Sequence, residues 1–358
     1  MPLIASSLQL VDKLTALGLA EIDFANSMDD FGLVYRLNDD RRRRLNAIKG
    51  RAGPIDVFLP TDPPNFAKVS CLGQGFNIKR VNGDELSSHE PNSEPSVLVL
   101  TNNVLANFVS RYGFEAIDVL RARWDSSIIA FHDYDCHHWF NFSFLGQLIS
   151  DFYFPAHPNN YRVFSPYLDS VQSPLPIGSI QWSTDFLKTS MDSMCASPRA
   201  DTPLGRHTGY PKFLRRNKVV VTINKQYSDV MLTDAREFHK LSERQKLLDW
   251  GAFKAHFVVP VNLDMPVRIF DALVTGGIPI VPRALHASMT QVGVAPGHYV
   301  TYSYSDVLEP QSVVSDAIEA FHADPIRDRI GHYMEKFHID SIVSKMLQTV
   351  ITSSDDEN

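Results

Sequence analysis

The stretch FVVPVNLDMPVRIFDALVTGGIPIVP, residues 257 to 282, decides how the rest of the chain is read. It opens with a short apolar run, Phe257-Val258-Val259-Pro260, passes through a polar loop, and takes on helical spacing near Pro266 to Val274. Gly276-Gly277 then turn the chain into a second apolar run, Ile278-Pro279-Ile280-Val281. The start of such a helix concentrates unpaired backbone N–H groups and favours an anion such as a pyrophosphate. Pro266 suits a helix start. Arg268 presents a planar fork of donors to phosphate oxygens, and Asp271, one turn later, can accept hydrogen bonds from ribose hydroxyls. Thr275, Gly276 and Gly277 complete the expected donor-binding set, the glycines because backbone without a Cβ can approach a ligand closely.

Asp271-Ala272-Leu273-Val274-Thr275-Gly276-Gly277-Ile278-Pro279-Ile280-Val281 resembles the donor-binding domain of GT-B glycosyltransferases. Many of these enzymes carry an acidic residue and Ala on the helix, then a Gly-x-Pro-Val turn. The Arg-x-x-Asp form with Gly-Ile-Pro also looks like the exostosin-type branch. The resemblance covers about 30 residues and departs from the family at two places. Asp271 stands where Glu is commoner, and Leu263, beside Asp264, stands where many retaining members place a second Glu. Retention of configuration is therefore not implied. What the resemblance implies is an α/β chain of two Rossmann-like domains facing a cleft, with a nucleotide-sugar donor in the C-terminal half. No cofactor or obligatory divalent metal is expected.

Upstream of this segment, Lys218-Val219-Val220-Val221-Thr222-Ile223-Asn224 reads as a strand. In the related enzymes the loop after the first donor-domain strand faces the pyrophosphate, so Lys225, and less strongly Arg216, are expected there. Ile55–Leu59, Ser96–Leu100 and Ser127–Phe131 are further short apolar runs, with a helical stretch from Phe114 to Arg123 before the last of them. Strands alternating with helices imply a parallel sheet covered on both faces. Residues 165 to 210 are rich in Pro, Ser and Gly and mark the crossing between domains. The expected division is a helical N-terminal segment at 1–50, an acceptor domain at 51–175, a crossing at 176–210, a donor domain at 211–335, and a C-terminal helix and tail at 336–358. Helices are expected from about Pro310 to Ala323 and from about Arg327 to Thr349.

A second candidate site follows the strand ending at Phe131: His132-Asp133-Tyr134-Asp135-Cys136-His137-His138. Ligands of open parallel sheets gather at the carboxyl ends of strands. In many GT-B enzymes the equivalent loop of the N-terminal domain faces the cleft. An inverting transfer needs a base for the acceptor hydroxyl, and Asp133 or His132 is expected to fill that role. Asp135 and the pair Asn102-Asn103 are candidate acceptor contacts, although capping a helix start is the commoner role for such asparagines. Asp133-Tyr134-Asp135 also matches the short Asp-x-Asp pattern of metal-dependent GT-A enzymes, a reading that leaves the Gly-Gly-Ile-Pro segment unexplained. Zinc held by His132, Cys136, His137 and His138 is a weaker alternative.

Composition narrows the partners. With 358 residues there is room for two domains, and 44% hydrophobic with 21% charged residues describes a globular chain. A formal net charge of -7 disfavours nucleic acid. Cys71, Cys136 and Cys195 form no CxxC pair and suit a reducing, cytoplasmic setting. No apolar stretch is long enough to span a bilayer, while Arg41-Arg42-Arg43-Arg44 reads as one solvated helix face or a peripheral membrane contact. The expected partners are a nucleotide sugar and a glycan-type acceptor, with the oligomeric state open. A nucleotide-sugar epimerase of the same fold and a non-catalytic carbohydrate- or nucleotide-binding protein are the alternatives.

Overall fold

The structure is a computed structural model. It describes residues 32 to 353 except 62–65, 71, 87–92, 113–115, 135–142, 144–145, 148, 166–169, 235–237 and 239.

Helix α1 (Gly32–Lys49) leads into a five-stranded sheet of β1 (Ile55–Pro60), β2 (Phe76–Val81), β3 (Ser96–Thr101), β4 (Ser127–Asp133) and β5 (Phe152–Pro155). Every pairing is parallel and the strand order is β2-β1-β3-β4-β5. The central strands β3 and β4 are buried along their whole length, as apolar runs such as Val97-Leu98-Val99-Leu100 require. Successive side chains divide between the two faces. Val97, Val99, Ile128 and Ala130 join one core, and Leu98, Leu100, Ile129 and Phe131 join another. Helices α2 (Asn102–Tyr112) and α3 (Ala116–Arg123) cover the second face with Val104, Leu105, Phe108 and Leu120.

After α4 (Pro158–Phe164) and α5 (Thr184–Ala196) the chain builds a second parallel sheet. Its strands are β6 (Ala200–Thr208), β7 (Val230–Thr233), β8 (Phe253–Phe257), β9 (Ile278–Pro282) and β10 (Val300–Tyr302), in the order β10-β9-β8-β6-β7. Between them lie α6 (Leu214–Asn224), α7 (Glu243–Gly251), α8 (Val267–Val274) and α9 (His286–Gln291). The chain ends in α10 (Tyr304–Leu308), α11 (Gln311–Ala323), α12 (Ile326–Phe337) and α13 (Ile339–Thr352). Counted within each sheet, both have the doubly wound order 2-1-3-4-5. In such sheets the strand order reverses between strands one and three, where a crevice opens at the carboxyl edge. Those points are β1/β3 in the first sheet and β6/β8 in the second. The two-domain α/β architecture implied by the sequence is thus present.

Three local expectations are corrected. Lys218 to Asn224 lies in helix α6, not in a strand: Val220 and Ile223, three apart, are buried, while Val221 between them is half exposed. The β-branched run favours a strand locally, but position between two parallel strands demands a crossover helix, and packing overrides propensity. The first strand of the second sheet is instead β6, which lies within the expected crossing of 176–210, so the sheet starts before residue 211. Pro203 and Gly205 hid it, and its pairing with β8 is irregular between Ala200 and Pro203. The expected helix from Arg327 to Thr349 is two helices, broken at His338, where ψ is 147°.

The arginine run is a solvated face only in part: Arg42 and Arg43 are exposed, while Arg41 and Arg44 turn inward. Arg44 is buried and paired with Asp151, which also receives Arg121 and the backbone N–H of Ile129. Arg41 lies 4.4 Å from the Phe152 ring centre, and Arg43 pairs with Asp125 on the surface. Arg41 and Arg44 therefore fasten α1 to the sheet at the start of β5, and Arg43 adds a surface pair to the turn before β4. Leu45 and Ile48 of α1 and Ile342, Val343, Met346 and Leu347 of α13 belong to the same core as Val57, Val97 and Phe152. Lys49 donates to the carbonyl of Ser353 at the end of α13. The C-terminal helix thus returns to the N-terminal sheet. No helix among the described residues is long and apolar enough to cross a membrane.

Candidate functional site

A cavity of about 280 Å³ lies between the carboxyl edges of the two sheets. The second sheet contributes Arg206 and Thr208 from the end of β6, Tyr210 and Arg216 from the turn into α6 and its first turn, Val259 to Val261 and Asp264 to Pro266 from the β8–α8 connection, and Val267 and Arg268 from the start of α8. The first contributes Asn103 and Tyr134, which follow β3 and β4, while Ile177, Ile180 and Gln181 come from the joining segment. The cavity therefore opens at the reversal point β6/β8, where the topology leaves a crevice.

Its cationic character is local. Arg216 donates through Nε to the Val259 carbonyl at 3.0 Å and through Nη1 to the Thr208 carbonyl. Arg268 donates through Nε to the carbonyl of Arg206. Neither guanidinium has a carboxylate ion-pair partner among the described residues, whereas Arg206 holds Asp249 through two bonds of 2.9 and 3.1 Å. Burial pushes Arg216 down to about 10, helped by the neighbouring charge of Arg268. His207, buried beneath them, is driven well below the ordinary imidazole range by desolvation and then by both arginines. Two cations in a poorly solvated wall repel each other, and a bound anion relieves that repulsion.

The backbone of the β8–α8 connection is unusual. Asn262 and Leu263 both adopt left-handed φ values, 48° and 59°, between β8 and α8. Consecutive non-glycine residues in this region carry roughly 1 to 2 kcal/mol of strain each. Helix α8 then begins at Val267, with Asp264, Met265 and Pro266 at the cavity wall before it.

Asp271 also lines the cavity and is buried. Desolvation raises its carboxyl to about 7, against the pull of the Ser179 hydroxyl, Arg268 and Lys246. Its Oδ1 accepts the Ser179 hydroxyl at 2.7 Å. Of the expected donor set, the fold thus brings Arg216, Arg268 and Asp271 together. Thr275, Gly276 and Gly277 lie at the opposite end of α8. The Thr275 hydroxyl bonds back to the carbonyls of Asp271 and Ala272. Gly276 has φ of 79°, and a Cβ there would stand 2.8 Å from Ile326 and Ile330; a Cβ on Gly277 would stand 2.3 Å from the His256 ring. The pair is a helix stop under close packing. Lys225 caps the far end of α6, because the segment before it is a helix rather than a strand, and it does not line the cavity.

The expected acceptor groups sit one layer back. Asp133 is fully buried and accepts from Asn102 Nδ2 and from the Tyr153 hydroxyl. His132 Nε2 contacts the Leu175 carbonyl at 3.0 Å, and burial lowers its imidazole to about 4. None of Asn102, His132 and Asp133 lines the cavity, while their neighbours Asn103 and Tyr134 do, joined by a bond from Asn103 Nδ2 to the Tyr134 hydroxyl. Asp135, with Cys136, His137 and His138, lies outside the described residues. Arg206 stands near the expected crossing without a motif, and Thr208 and Tyr210 were overlooked because the strand that carries or precedes them was; Phe238 and Trp250 carry no sequence signal beyond aromatic helix positions.

No family model matches the sequence, and no curated protein sequence matches it. Among solved structures the chain is similar to an alpha1,3-fucosyltransferase, with 12% identity, a TM-score of 0.46, and coverage of 85% of this chain and 92% of that one. It is also similar to the wall teichoic acid polymerase TagF, with 11% identity, a TM-score of 0.33, and coverage of 98% and 97%.

Proposed function

We propose that the chain is a glycosyltransferase that takes a sugar from a nucleoside-diphosphate donor and places it on a hydroxyl of a glycan, lipid-linked or protein acceptor, without an obligatory metal. One observation carries this reading. Arg216 and Arg268 stand together at the reversal point of the second sheet, without a carboxylate ion-pair partner among the described residues and facing a cavity whose other wall belongs to the first sheet. Planar guanidiniums suit the diphosphate, and the first turn of α8 adds backbone donors. These groups stabilise the negative charge that develops as the nucleoside diphosphate leaves. Asp271 accepts ribose hydroxyls. Asn103 and Tyr134 meet the acceptor, an amide and a phenol being suited to sugar hydroxyls. Behind them Asp133 and His132 hold the ends of β3 and β4 and the joining segment in place.

Calorimetric titration with UDP, GDP, CDP, ADP and inorganic pyrophosphate, each with and without EDTA, tests this assignment. Binding of one nucleoside diphosphate that persists in EDTA and is weakened by Arg268→Ala is expected. Failure of every nucleotide and of pyrophosphate to bind would remove the donor site. Binding abolished by EDTA would remove the metal-independent form of the reading.

A further inference from the structure

The segment that joins the sheets enters the cavity wall at Ile177 to Gln181 and is gripped on both sides. Ser179 donates its backbone N–H to the Phe337 carbonyl at 2.7 Å, and its own carbonyl accepts the N–H of Ile339 at 3.0 Å. This two-bond bridge spans the break between α12 and α13, and His338 within the break reaches the Trp182 carbonyl at 2.9 Å. Gly178 adopts φ of 71°, and a Cβ there would stand 2.5 Å from the Phe337 carbonyl oxygen, so the approach is open only to glycine. With its backbone fixed in this way, Ser179 has one polar group left, and its hydroxyl goes to Asp271 Oδ1 at 2.7 Å. The other oxygen of Asp271 has no hydrogen-bond partner among the described residues, although the carboxyl is 1% exposed and belongs to the cavity wall. The remaining charged groups around it are Arg268 on its own helix and Lys246 on α7, which itself donates to Gln181 Oε1 at 3.0 Å.

We infer that Ser179 is a positioning residue for the donor site: its hydroxyl, held by the bridge to α12 and α13, fixes one oxygen of Asp271 so that the other meets the donor's hydroxyls. The inference rests on the donor reading of the cavity. It gives the segment between the domains a part in recognition as well as in connection, because the segment that links the two sheets sets the acceptor strength of a carboxylate on α8.

Burial alone would keep Asp271 protonated, and a protonated carboxyl is a poor partner for hydroxyls. Ser179 favours the ionised form, which is the form that accepts from a pair of vicinal hydroxyls. Removing the Ser179 hydroxyl raises the Asp271 carboxyl further above about 7, so the pH at which hydroxyl-dependent binding weakens must move upward. Binding that depends on phosphate alone must not move with it.

The test compares wild type with Ser179→Ala by calorimetric titration between pH 6 and pH 8.5, using the four nucleoside diphosphates and inorganic pyrophosphate as probes. Ser179→Ala is expected to lose roughly tenfold in nucleoside-diphosphate affinity at neutral pH, the scale of one hydrogen bond to a charged group. Its pH midpoint should rise while pyrophosphate affinity stays at the wild-type value. Unchanged nucleotide affinity and midpoint would overturn the inference, as would equal loss of nucleotide and pyrophosphate, which marks a purely structural role. Should Ser179→Ala fail to fold, Ser179→Cys keeps the volume with a weaker donor and is read in the same way. If wild type binds pyrophosphate but no nucleoside diphosphate more tightly, the inference falls while the anion site stands; if it binds neither, both fall.

Discussion

Arg268 donates its Nε–H to the carbonyl oxygen of Arg206, so the first turn of α8 is fastened to the end of β6. The bond aims one guanidinium edge at the backbone and leaves the other for the cavity. Arg216 does the same from α6, with the carbonyls of Val259 and Thr208.

Both guanidiniums are therefore preorganised, and the diphosphate should feel their loss directly. Arg268→Ala is expected to weaken nucleoside-diphosphate binding at least tenfold, about 1.4 kcal/mol, and to weaken pyrophosphate by a similar factor. Arg268→Lys keeps the charge but not the fork, and should recover only part of the affinity. Calorimetry at two salt concentrations checks both; wild-type affinity in Arg268→Ala would remove the residue from the site.

Gly277 answers to packing. A Cβ at this position meets the His256 ring, which is itself stacked on Trp250 at 5.0 Å and has no room to withdraw. Gly277→Ala should therefore cost about 1 to 3 kcal/mol of stability by overpacking. Nucleotide affinity per folded molecule should be unchanged. A variant of normal melting temperature with lost nucleotide binding would return the glycine to the ligand.

For Asp133 the expected signature is also one of stability. Asp133→Asn turns an amide N–H₂ toward Asn102 or Tyr153, which both donate to the carboxylate in the native chain. A loss of about 1 to 3 kcal/mol is expected from one unsatisfied buried group, with nucleotide binding retained in the folded fraction. Normal thermal stability combined with abolished sugar transfer would instead make Asp133 the base.

Three buried histidines set the response to acid. His132 is lowered to about 4 and His256 to about 3, and His207 lies well below the ordinary value, in each case chiefly through desolvation. The unfolded chain takes up protons at these positions near pH 6.5 while the folded chain does not. Stability is therefore full above pH 6.5 and falls as the pH drops toward 4. Each histidine contributes up to about 1.4 kcal/mol per pH unit in that window, and Asp271, raised to about 7 and so protonated first in the folded chain, offsets one of the three. Melting temperatures from pH 7.5 to 4.5 should decline steeply, and a flat profile would contradict the buried neutral assignment.

The sequence was informative where apolar runs and short-range signals agree. Val97 to Leu100 and Ile128 to Phe131 read correctly as strands because burial on both faces leaves an unbroken apolar pattern. The helix carrying Arg268 and Asp271, both at the cavity, was legible because the order of residues makes its start plain. Val219 to Ile223 misled because five residues look alike as a buried strand or as an amphipathic helix, and only the neighbouring strands decide. At the end of β4 the residue beside the cavity is one later than expected: whether Asp133 or Tyr134 meets the cavity depends on the contacts of Asn102 and Tyr153, which no local pattern records.

The return of α13 to the first sheet bears on how the chain is made. Strands β1 to β5 leave the ribosome well before Ile342, Val343, Met346 and Leu347, the side chains that complete the core on one of their faces. The half synthesised first is thus the half closed last, and its open face stays exposed to chaperones until translation has passed the second sheet. Nonsense or frameshift products that stop before residue 339 keep every residue of the cavity yet lack that cover. Quality control would meet them as unfinished N-terminal sheets.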